Sequence, residues 1–183
     1  VKTFPIVELE FNPQANLVEF LFAPAVISQE VEKRSFELAR EVVTALDFVG
    51  ILAVELFLTK AGEVLVNEVA PRTHNSGHHT IESCHTSQFE QHMRAVLDLP
   101  LGNTELISPA VMLNLLGQEA FTGAVKYEGI AEVLAKKGVT IHLYGKADTK
   151  PYRKMGHVTI LSETLEGAKD VALQIKKELK VKA

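Results

Sequence analysis

Residues 50–82, GILAVELFLTKAGEVLVNEVAPRTHNSGHHTIE, decide the fold of this chain. They begin with two apolar runs, 51–58 and 63–69, and the short turn between these runs predicts a β-hairpin. The first run is interrupted by Glu55, and the second carries Glu68 near its end. Burying a carboxylate is costly unless a cation or a donor compensates it. Two such acids on neighbouring strands therefore predict a metal site.

The length of the turn determines the geometry of this acid pair. Side chains alternate between the two faces of a strand, so a turn with an even number of residues places Glu55 and Glu68 on one face. Their Cβ atoms would then be about 4.5–8 Å apart, either directly opposite or diagonal. Mg²⁺, which takes carboxylate oxygens at about 2.0–2.1 Å, fits between such side chains. An odd turn would separate the acids, and the alternative to a metal site is two edge-strand glutamates that face water.

The polar loop PRTHNSGHH at 71–79 follows the second strand directly. It concentrates side chains that bind anions, namely Arg72, His74, Asn75, Ser76 and His78. Gly77 lets a ligand approach the backbone closely. Next to a metal site, this loop predicts a binding site for an anionic intermediate, and the alternative is a polar surface loop.

A second basic loop, YGKADTKPYRKMGH at 144–157, carries Lys146 and Arg153. Basic residues that are held between two strands suit a phosphate ester. Taken alone, this pattern favours a solvated run of charge over a binding site.

The composition excludes several classes of protein. The chain has 183 residues, of which 46% are hydrophobic, and its net charge of −4 comes with no long basic run, which argues against nucleic acid as a partner. No apolar stretch approaches the roughly 20 residues of a membrane span. The single cysteine, Cys84, fits a reducing compartment, so we expect a cytoplasmic protein. The opening VKTFPIVELEF is typical of the interior of a domain and suggests a fragment of a longer chain.

The remaining patterns predict an α+β fold in two domains, 1–102 and 103–183. We expect strands at 3–11, 17–22, 110–116, 139–144 and 156–161. We expect helices at 28–46, at 130–137, from Ser87 to before Pro100, and a final helix from about Leu165. Ser28 and Ser87 have the character of N-caps, and the helix after Ser87 carries an apolar face of Phe89, Met93, Val96 and Leu97.

With these residues in place, the chain resembles the ATP-grasp superfamily, and within it the N5-carboxyaminoimidazole ribonucleotide synthases. The motifs that carry the resemblance are AVELF at 53–57, VNEVAPRTHNSGHHTIESC at 66–84, TSQFEQHMRAVLDLPLG at 86–102, YGK at 144–146 and RKMGHVT at 153–159. The resemblance implies the antiparallel-sheet half of an ATP-grasp domain, followed by a small α+β C-terminal domain.

The resemblance also implies a reaction and a role for each site residue. Family members use ATP, Mg²⁺ and bicarbonate, form carboxyphosphate, and carboxylate 5-aminoimidazole ribonucleotide in purine biosynthesis. Glu55 and Glu68 would hold the metal, and Asn67 and Glu68 would contact ATP. The loop residues Arg72, His74 and Asn75 would be catalytic, whereas Ser76, His78, Lys146 and Arg153 would bind substrate. The implied assembly is a homodimer that works together with a carboxylase (mutase) subunit.

Three departures and two alternatives accompany this resemblance. Thr73 and His79 stand where the family usually has Pro and Trp or Tyr, and Tyr152 stands where Gly is common. The family's N-terminal domain and glycine-rich ATP-covering subdomain do not precede Val1, so we expect this piece alone to be inactive. A formate-dependent glycinamide ribonucleotide transformylase is the alternative enzyme, and a non-catalytic dimerisation module is the alternative from another class.

Overall fold

The computed structural model describes residues 1–183, and the contacts among them divide the chain into two compact units. Unit 1 comprises Val1–Ile6 and Ala25–Ile107, and unit 2 comprises Val7–Pro24 and Ser108–Ala183. The expected assignment to domains 1–102 and 103–183 stays a prediction, but the contact units differ from it in two respects. Residues 103–107 belong to unit 1. Residues 7–24 belong with the C-terminal part of the chain, because the strands they contain join its sheet.

The structure combines helices with antiparallel sheets, which confirms the predicted α+β class. In chain order the elements are β1 (Glu8–Asn12), β2 (Leu17–Ala23), α1 (Gln29–Ala45), β3 (Ala53–Leu58), β4 (Val64–Ala70), a 3₁₀ helix (Asn75–Gly77), α2 (Thr80–Ser83), α3 (Gln88–Val96), β5 (Ala110–Leu116), β6 (Gly123–Ala124), β7 (Lys126–Glu128), α4 (Ile130–Leu134), β8 (Val139–Leu143), β9 (Asp148–Thr149), β10 (Lys154–Leu161), α5 (Leu165–Glu178) and β11 (Lys180–Lys182). No helix among them is both long and apolar enough to span a bilayer.

Unit 2 is built on a five-stranded antiparallel sheet with the order β1-β2-β5-β10-β8. The hairpin β1–β2 joins this sheet because β2 pairs with β5, with Phe20 opposite Leu113. Phe20 and Leu113 are buried in the same apolar core. Helix α5 contributes Ala168, Ala172 and Ile175 to that core.

Helix α5 begins at a polar N-cap, which gives a test of its contribution to stability. The side chain of Thr164 accepts a hydrogen bond from the backbone N–H of Gly167 at 3.1 Å. We expect Thr164→Ala to lower the free energy of unfolding by about 1 kcal/mol, because a helix-end donor loses its acceptor. Denaturant unfolding measures the change, and Thr164→Ser is the control that retains the hydroxyl. An alanine variant as stable as wild type would contradict this role.

Unit 1 contains α1, the two-stranded sheet β3–β4 and α3. Ser28 and Ser87 are N-caps as predicted, and their side chains accept from the backbone N–H groups of Val31 and Glu90. The apolar face of α3 differs from a usual core face, because Phe89, Met93, Val96 and Leu97 are all exposed. The buried residues of this helix are Gln88 and Gln91.

The sequence missed the shortest elements and misplaced several boundaries. Residues 3–7, predicted as strand, precede β1, and the helix predicted over 130–137 ends at Leu134. The unpredicted elements are β6, β7, β9, β11, α2 and the 3₁₀ helix. Each of them has two to four residues, too few for hydrophobic periodicity to register.

Candidate metal and anion site

The turn between β3 and β4 has an odd number of residues, so the even turn on which the predicted facing of the two acids depends is absent. The backbone N–H of Thr59 donates to the carbonyl of Glu63 at 2.9 Å, which leaves residues 60–62 as the loop. Gly62 adopts a left-handed conformation with φ of +85°. A three-residue loop that ends in a left-handed glycine is a common hairpin connection. By alternation alone, this loop would place Glu55 and Glu68 on opposite faces.

A β-bulge reverses the effect of the odd turn. Leu56 pairs with Val66, but the next pair along the ladder is Glu55 with Glu68, so Asn67 is an extra residue in β4. A bulge of this kind re-aims the side chains that follow it. The two acids therefore lie directly opposite each other, as predicted, although the physical reason is the bulge and not the turn.

His74 joins the two acids to form a compact cluster. The ligand atoms of Glu55, Glu68 and His74 all lie within 4.8 Å of one another. His74 Nε2 is 3.8 Å from Glu55 Oε1, and each of these two side chains is 17% exposed. Two oxygens bound to one Mg²⁺ are at most about 4.2 Å apart, twice the metal–oxygen distance. Small side-chain rotations would thus bring the carboxylates into coordination range.

The neighbouring 3₁₀ helix indicates which nitrogen of His74 carries the proton. The backbone N–H of Ser76 donates to His74 Nδ1 at 3.3 Å, and the Ser76 hydroxyl lies 2.9 Å from the same nitrogen. Because a backbone N–H can only donate, Nδ1 is an acceptor, and the neutral ring carries its proton on Nε2. Nε2 faces Glu55, so this tautomer makes His74 a hydrogen-bond donor beside the acids and not a third metal ligand.

The other predicted loop residues have different surroundings. Arg72 is exposed, and its Nη1 donates to the carbonyl of Thr73 at 3.0 Å. Asn75 is the first residue of the 3₁₀ helix. His78 Nδ1 lies 2.8 Å from Gln88 Nε2, and the His78 ring stacks on Phe89 with centroids 5.6 Å apart. Sequence reasoning missed Gln88, although it lies within the quoted TSQFEQH motif.

The basic loop of unit 2 brings Lys146 and Arg153 close enough to interact. Burial and the charge of Arg153 lower the pKa of Lys146. The ammonium of Lys146 donates to the carbonyl of Lys154, and Arg153 Nη1 donates to that of Asp148 at 2.7 Å. Two neighbouring cations whose hydrogen bonds run to main-chain carbonyls suit an anionic ligand.

Tyr152, which replaces the glycine that is common in the family, precedes this pair and retains the conformation that a glycine would favour. Its φ is +61°, in the left-handed region. The substitution therefore leaves the turn before Arg153 in a glycine-like shape.

Comparisons with known proteins place these features in a family. The ATP-grasp domain model matches residues 1–89, and the model of the phosphoribosylaminoimidazole carboxylase C-terminal domain matches residues 110–170. The N5-carboxyaminoimidazole ribonucleotide synthase of Bacillus subtilis is 46% identical over 165 residues, which cover 89% of this chain and 41% of that protein.

Solved structures agree with the sequence comparisons. The N5-carboxyaminoimidazole ribonucleotide synthetase of Thermotoga maritima has a TM-score of 0.89 and 52% identity, over 98% of this chain and 48% of that one. The Aspergillus clavatus enzyme, solved in complex with ADP and 5-aminoimidazole ribonucleotide, has a TM-score of 0.85 and 35% identity, over 95% and 46%. The chain thus spans less than half the length of each of these relatives.

The fold and the matching family model are those of an ATP-grasp protein. Within that superfamily, the chain belongs to the N5-carboxyaminoimidazole ribonucleotide synthase family.

Proposed function

We propose that this chain supplies the metal and anion sites of an ATP- and Mg²⁺-dependent carboxylating ligase. In the proposed reaction, ATP phosphorylates bicarbonate to carboxyphosphate, whose carboxyl group passes to the exocyclic amine of 5-aminoimidazole ribonucleotide. The products are N5-carboxyaminoimidazole ribonucleotide, ADP and phosphate, in purine biosynthesis. The observation that carries this proposal is the direct pairing of Glu55 with Glu68, beside the Nε2–H of His74.

The carboxylates of Glu55 and Glu68 would hold Mg²⁺. Hard carboxylate oxygens are the ligands this ion prefers, and both side chains are only partly covered or exposed, which leaves room for phosphate oxygens. The ion, when bound, neutralises charge on the phosphates during transfer. Asn67 is the extra, exposed residue of the bulge, and its amide would contact the nucleotide phosphates together with Glu68.

Arg72, His74 and Asn75 would hold the carboxyphosphate. His74 contributes a neutral donor whose orientation is fixed by Ser76, and Arg72 contributes a planar cation on the exposed side of the loop. Donors that are oriented before the reaction stabilise the developing negative charge without reorganising. Ser76 and His78 would complete the substrate side of the loop, with Ser76 acting mainly through His74.

Lys146 and Arg153 would bind the phosphate of the ribonucleotide, which gives a second prediction. We expect Arg153→Ala to raise the KM for 5-aminoimidazole ribonucleotide by about tenfold or more, since a charge-assisted hydrogen bond contributes about 1.5–3 kcal/mol. The KM for ATP should stay within about twofold of wild type. Lys136→Ala is the control, because Lys136 is in the same unit but pairs with Glu178. Equal effects of the two variants on KM would contradict the assignment.

The test of the proposed function is bicarbonate-dependent release of phosphate from ATP. It uses the full-length protein that carries this chain, with and without 5-aminoimidazole ribonucleotide. Stimulation by the ribonucleotide supports the proposal. Turnover that depends on formate and glycinamide ribonucleotide would replace it with the transformylase reaction. Absence of turnover both with bicarbonate and 5-aminoimidazole ribonucleotide and with formate and glycinamide ribonucleotide would favour a docking or dimerisation module.

The compartment and the oligomeric state of the protein can be proposed as well. A reducing cytoplasm suits the single buried thiol of Cys84. We further propose a homodimer that supplies its product to a carboxylase (mutase) partner, and sedimentation of the full-length protein tests the dimer.

A further inference from the structure

Two glutamines are the buried residues of α3, although the apolar residues of this helix are exposed. Gln88 is 3% exposed and Gln91 is 4% exposed, whereas Met93 is 54% exposed. A buried amide is unfavourable unless its donors and acceptor are bonded. The contacts of these two side chains therefore explain why they occupy the interior of unit 1.

The side-chain amide of Gln88 bonds to both the backbone N–H and the backbone carbonyl of His74, in the predicted anion-binding loop. Its Oε1 accepts from the backbone N–H of His74 at 2.9 Å, and its Nε2 donates to the carbonyl of His74 at 2.8 Å. This pairing resembles a rung of a β-ladder in which a side-chain amide replaces the partner strand. It holds His74 at the point where the chain enters the 3₁₀ helix.

The same amide also determines the tautomer of His78. A backbone N–H can only donate, so the contact with His74 identifies Oε1 as the acceptor and leaves Nε2 as the NH₂ group of Gln88. That NH₂ lies 2.8 Å from His78 Nδ1. Nδ1 of His78 must then accept, so the neutral ring carries its proton on Nε2.

Gly77 leaves the space that this amide occupies. A Cβ atom on Gly77 would be 2.4 Å from Gln88 Oε1 and 2.6 Å from Gln88 Cδ, closer than real Cβ contacts. Glycine at position 77 is thus explained by the approach of Gln88, since no positive φ requires it there.

We propose that Gln88 is a positioning residue that holds His74 beside the acid pair and keeps the proton of His78 on Nε2. The inference rests on the proposed function for its catalytic consequence. Gln88 touches the backbone of His74 and the ring of His78, and it acts on the reaction through them.

Gln91 provides a matched control on the same helix. It makes the same bidentate contact with a backbone, accepting from the N–H of Gly102 at 2.8 Å and donating to its carbonyl at 3.2 Å. It is as buried as Gln88 but bonds no residue of the 72–78 loop. A merely structural role predicts equal consequences of the same substitution at the two positions.

The experiment compares Gln88→Glu with Gln91→Glu in the full-length protein. A carboxylate keeps the shape of the amide but cannot donate to His74 or to His78. We expect similar losses in melting temperature for both variants. We also expect kcat for bicarbonate-dependent ATP turnover to fall at least tenfold in Gln88→Glu and to stay within twofold in Gln91→Glu, with the KM for ATP little changed in both.

Nitrogen NMR of His78 gives a readout that does not depend on activity. In wild type and Gln91→Glu at neutral pH, the chemical shifts should identify Nε2 as protonated and Nδ1 as unprotonated. In Gln88→Glu, Nδ1 should become protonated, because it now faces an acceptor. Assignment uses the signal that disappears in His78→Asn.

If Gln88→Glu does not fold, the pair Gly77→Ala and Gly77→Ala/Gln88→Ala replaces it. The alanine at 77 should lower kcat in the presence of Gln88, and it should add no further loss when Gln88 is already Ala.

Three outcomes decide between the explanations. Loss of kcat and a changed His78 tautomer in Gln88→Glu alone support the inference. Equal effects of the two glutamate variants on kcat, or an unprotonated Nδ1 in Gln88→Glu, overturn it. A wild-type protein without bicarbonate-stimulated turnover refutes the proposed function and the catalytic part of the inference. In that case the His78 tautomer still tests whether Gln88 keeps the proton on Nε2.

Discussion

Glu68→Gln is expected to reduce bicarbonate-stimulated ATP turnover of the full-length protein by about a hundredfold or more, on the scale of removing one preorganised electrostatic contact from an active site. Glu68 lies directly opposite Glu55, so the variant leaves one carboxylate where the proposal requires two. A neutral amide is a weaker ligand for a hard cation, and the Mg²⁺ concentration for half-maximal rate should rise as well. Phosphate release measured over a series of Mg²⁺ concentrations gives both quantities.

Glu63→Gln is the matched control for this variant. Glu63 belongs to the same hairpin, is exposed like Glu68, and carries the same charge, but it lies beside the turn and outside the acid cluster. Its substitution should leave both the rate and the Mg²⁺ dependence within about twofold of wild type. If both variants retain wild-type turnover, the acid pair is not the metal site, and the alternative of two edge-strand glutamates that face water becomes the better explanation.

The pair Glu55 and Glu68 shows how far a sequence can predict the geometry of a site. Hydrophobic patterns located both strands to within two residues. The two acids chosen by the buried-charge argument lie opposite each other, although Glu68 is exposed, and their role as metal ligands stays a prediction. From the sequence, Glu55 and Glu68 share a face only if the turn is even, whereas the structure has a three-residue loop and a bulge at Asn67. One extra residue in the turn shifts the pairing of the strands by one position, and the bulge shifts it by one more. The two shifts cancel, so hydrophobic periodicity cannot detect them.

Helix α3 illustrates a second limit. Its cap at Ser87 and its apolar face were predicted correctly as local features, since both depend on residues close in sequence. The burial was not predicted, because Gln88 and Gln91 are polar and their partners, such as His74 and Gly102, are distant in the chain. A polar residue in the interior can be recognised only when its bonding partners are known.

The two-unit arrangement shows the same dependence on long-range contacts. The hairpin β1–β2 was predicted from its own pattern, but its membership of the unit 2 sheet follows from the pairing of β2 with β5, about 90 residues later. By contrast, the candidate site residues of the 72–78 loop belong to one short motif, whose residues remain neighbours in any fold.

Acidification between pH 6.5 and 4 is expected to destabilise the protein by about 3 kcal/mol through His79 alone. His79 is 2% exposed, and burial, assisted by the charge of His78, lowers its pKa from 6.5 to about 4. In this window the unfolded chain binds a proton at His79 and the native protein does not, so falling pH favours unfolding. The contribution is fully present above pH 6.5 and is lost as the pH falls through 4.

The hydrogen bonds of His79 explain why the native ring resists a second proton. The Ser83 hydroxyl donates to the carbonyl of His79 at 2.8 Å, so it accepts from Nδ1–H at 2.7 Å. The neutral ring is thus already satisfied at Nδ1, and protonation would place a charge in the interior of unit 1. His79→Gln keeps a polar group that can bond Ser83 but removes the titration.

The measurement is the difference in unfolding free energy between wild type and His79→Gln, from denaturant titrations at pH 7.5, 6, 5 and 4. Acid effects of the carboxylates are common to both proteins and cancel in this difference. We expect the advantage of wild type over the variant to shrink by about 3 kcal/mol from pH 7.5 to 4. A constant difference for His79→Gln across the window would mean that the native ring accepts its proton as readily as the unfolded one.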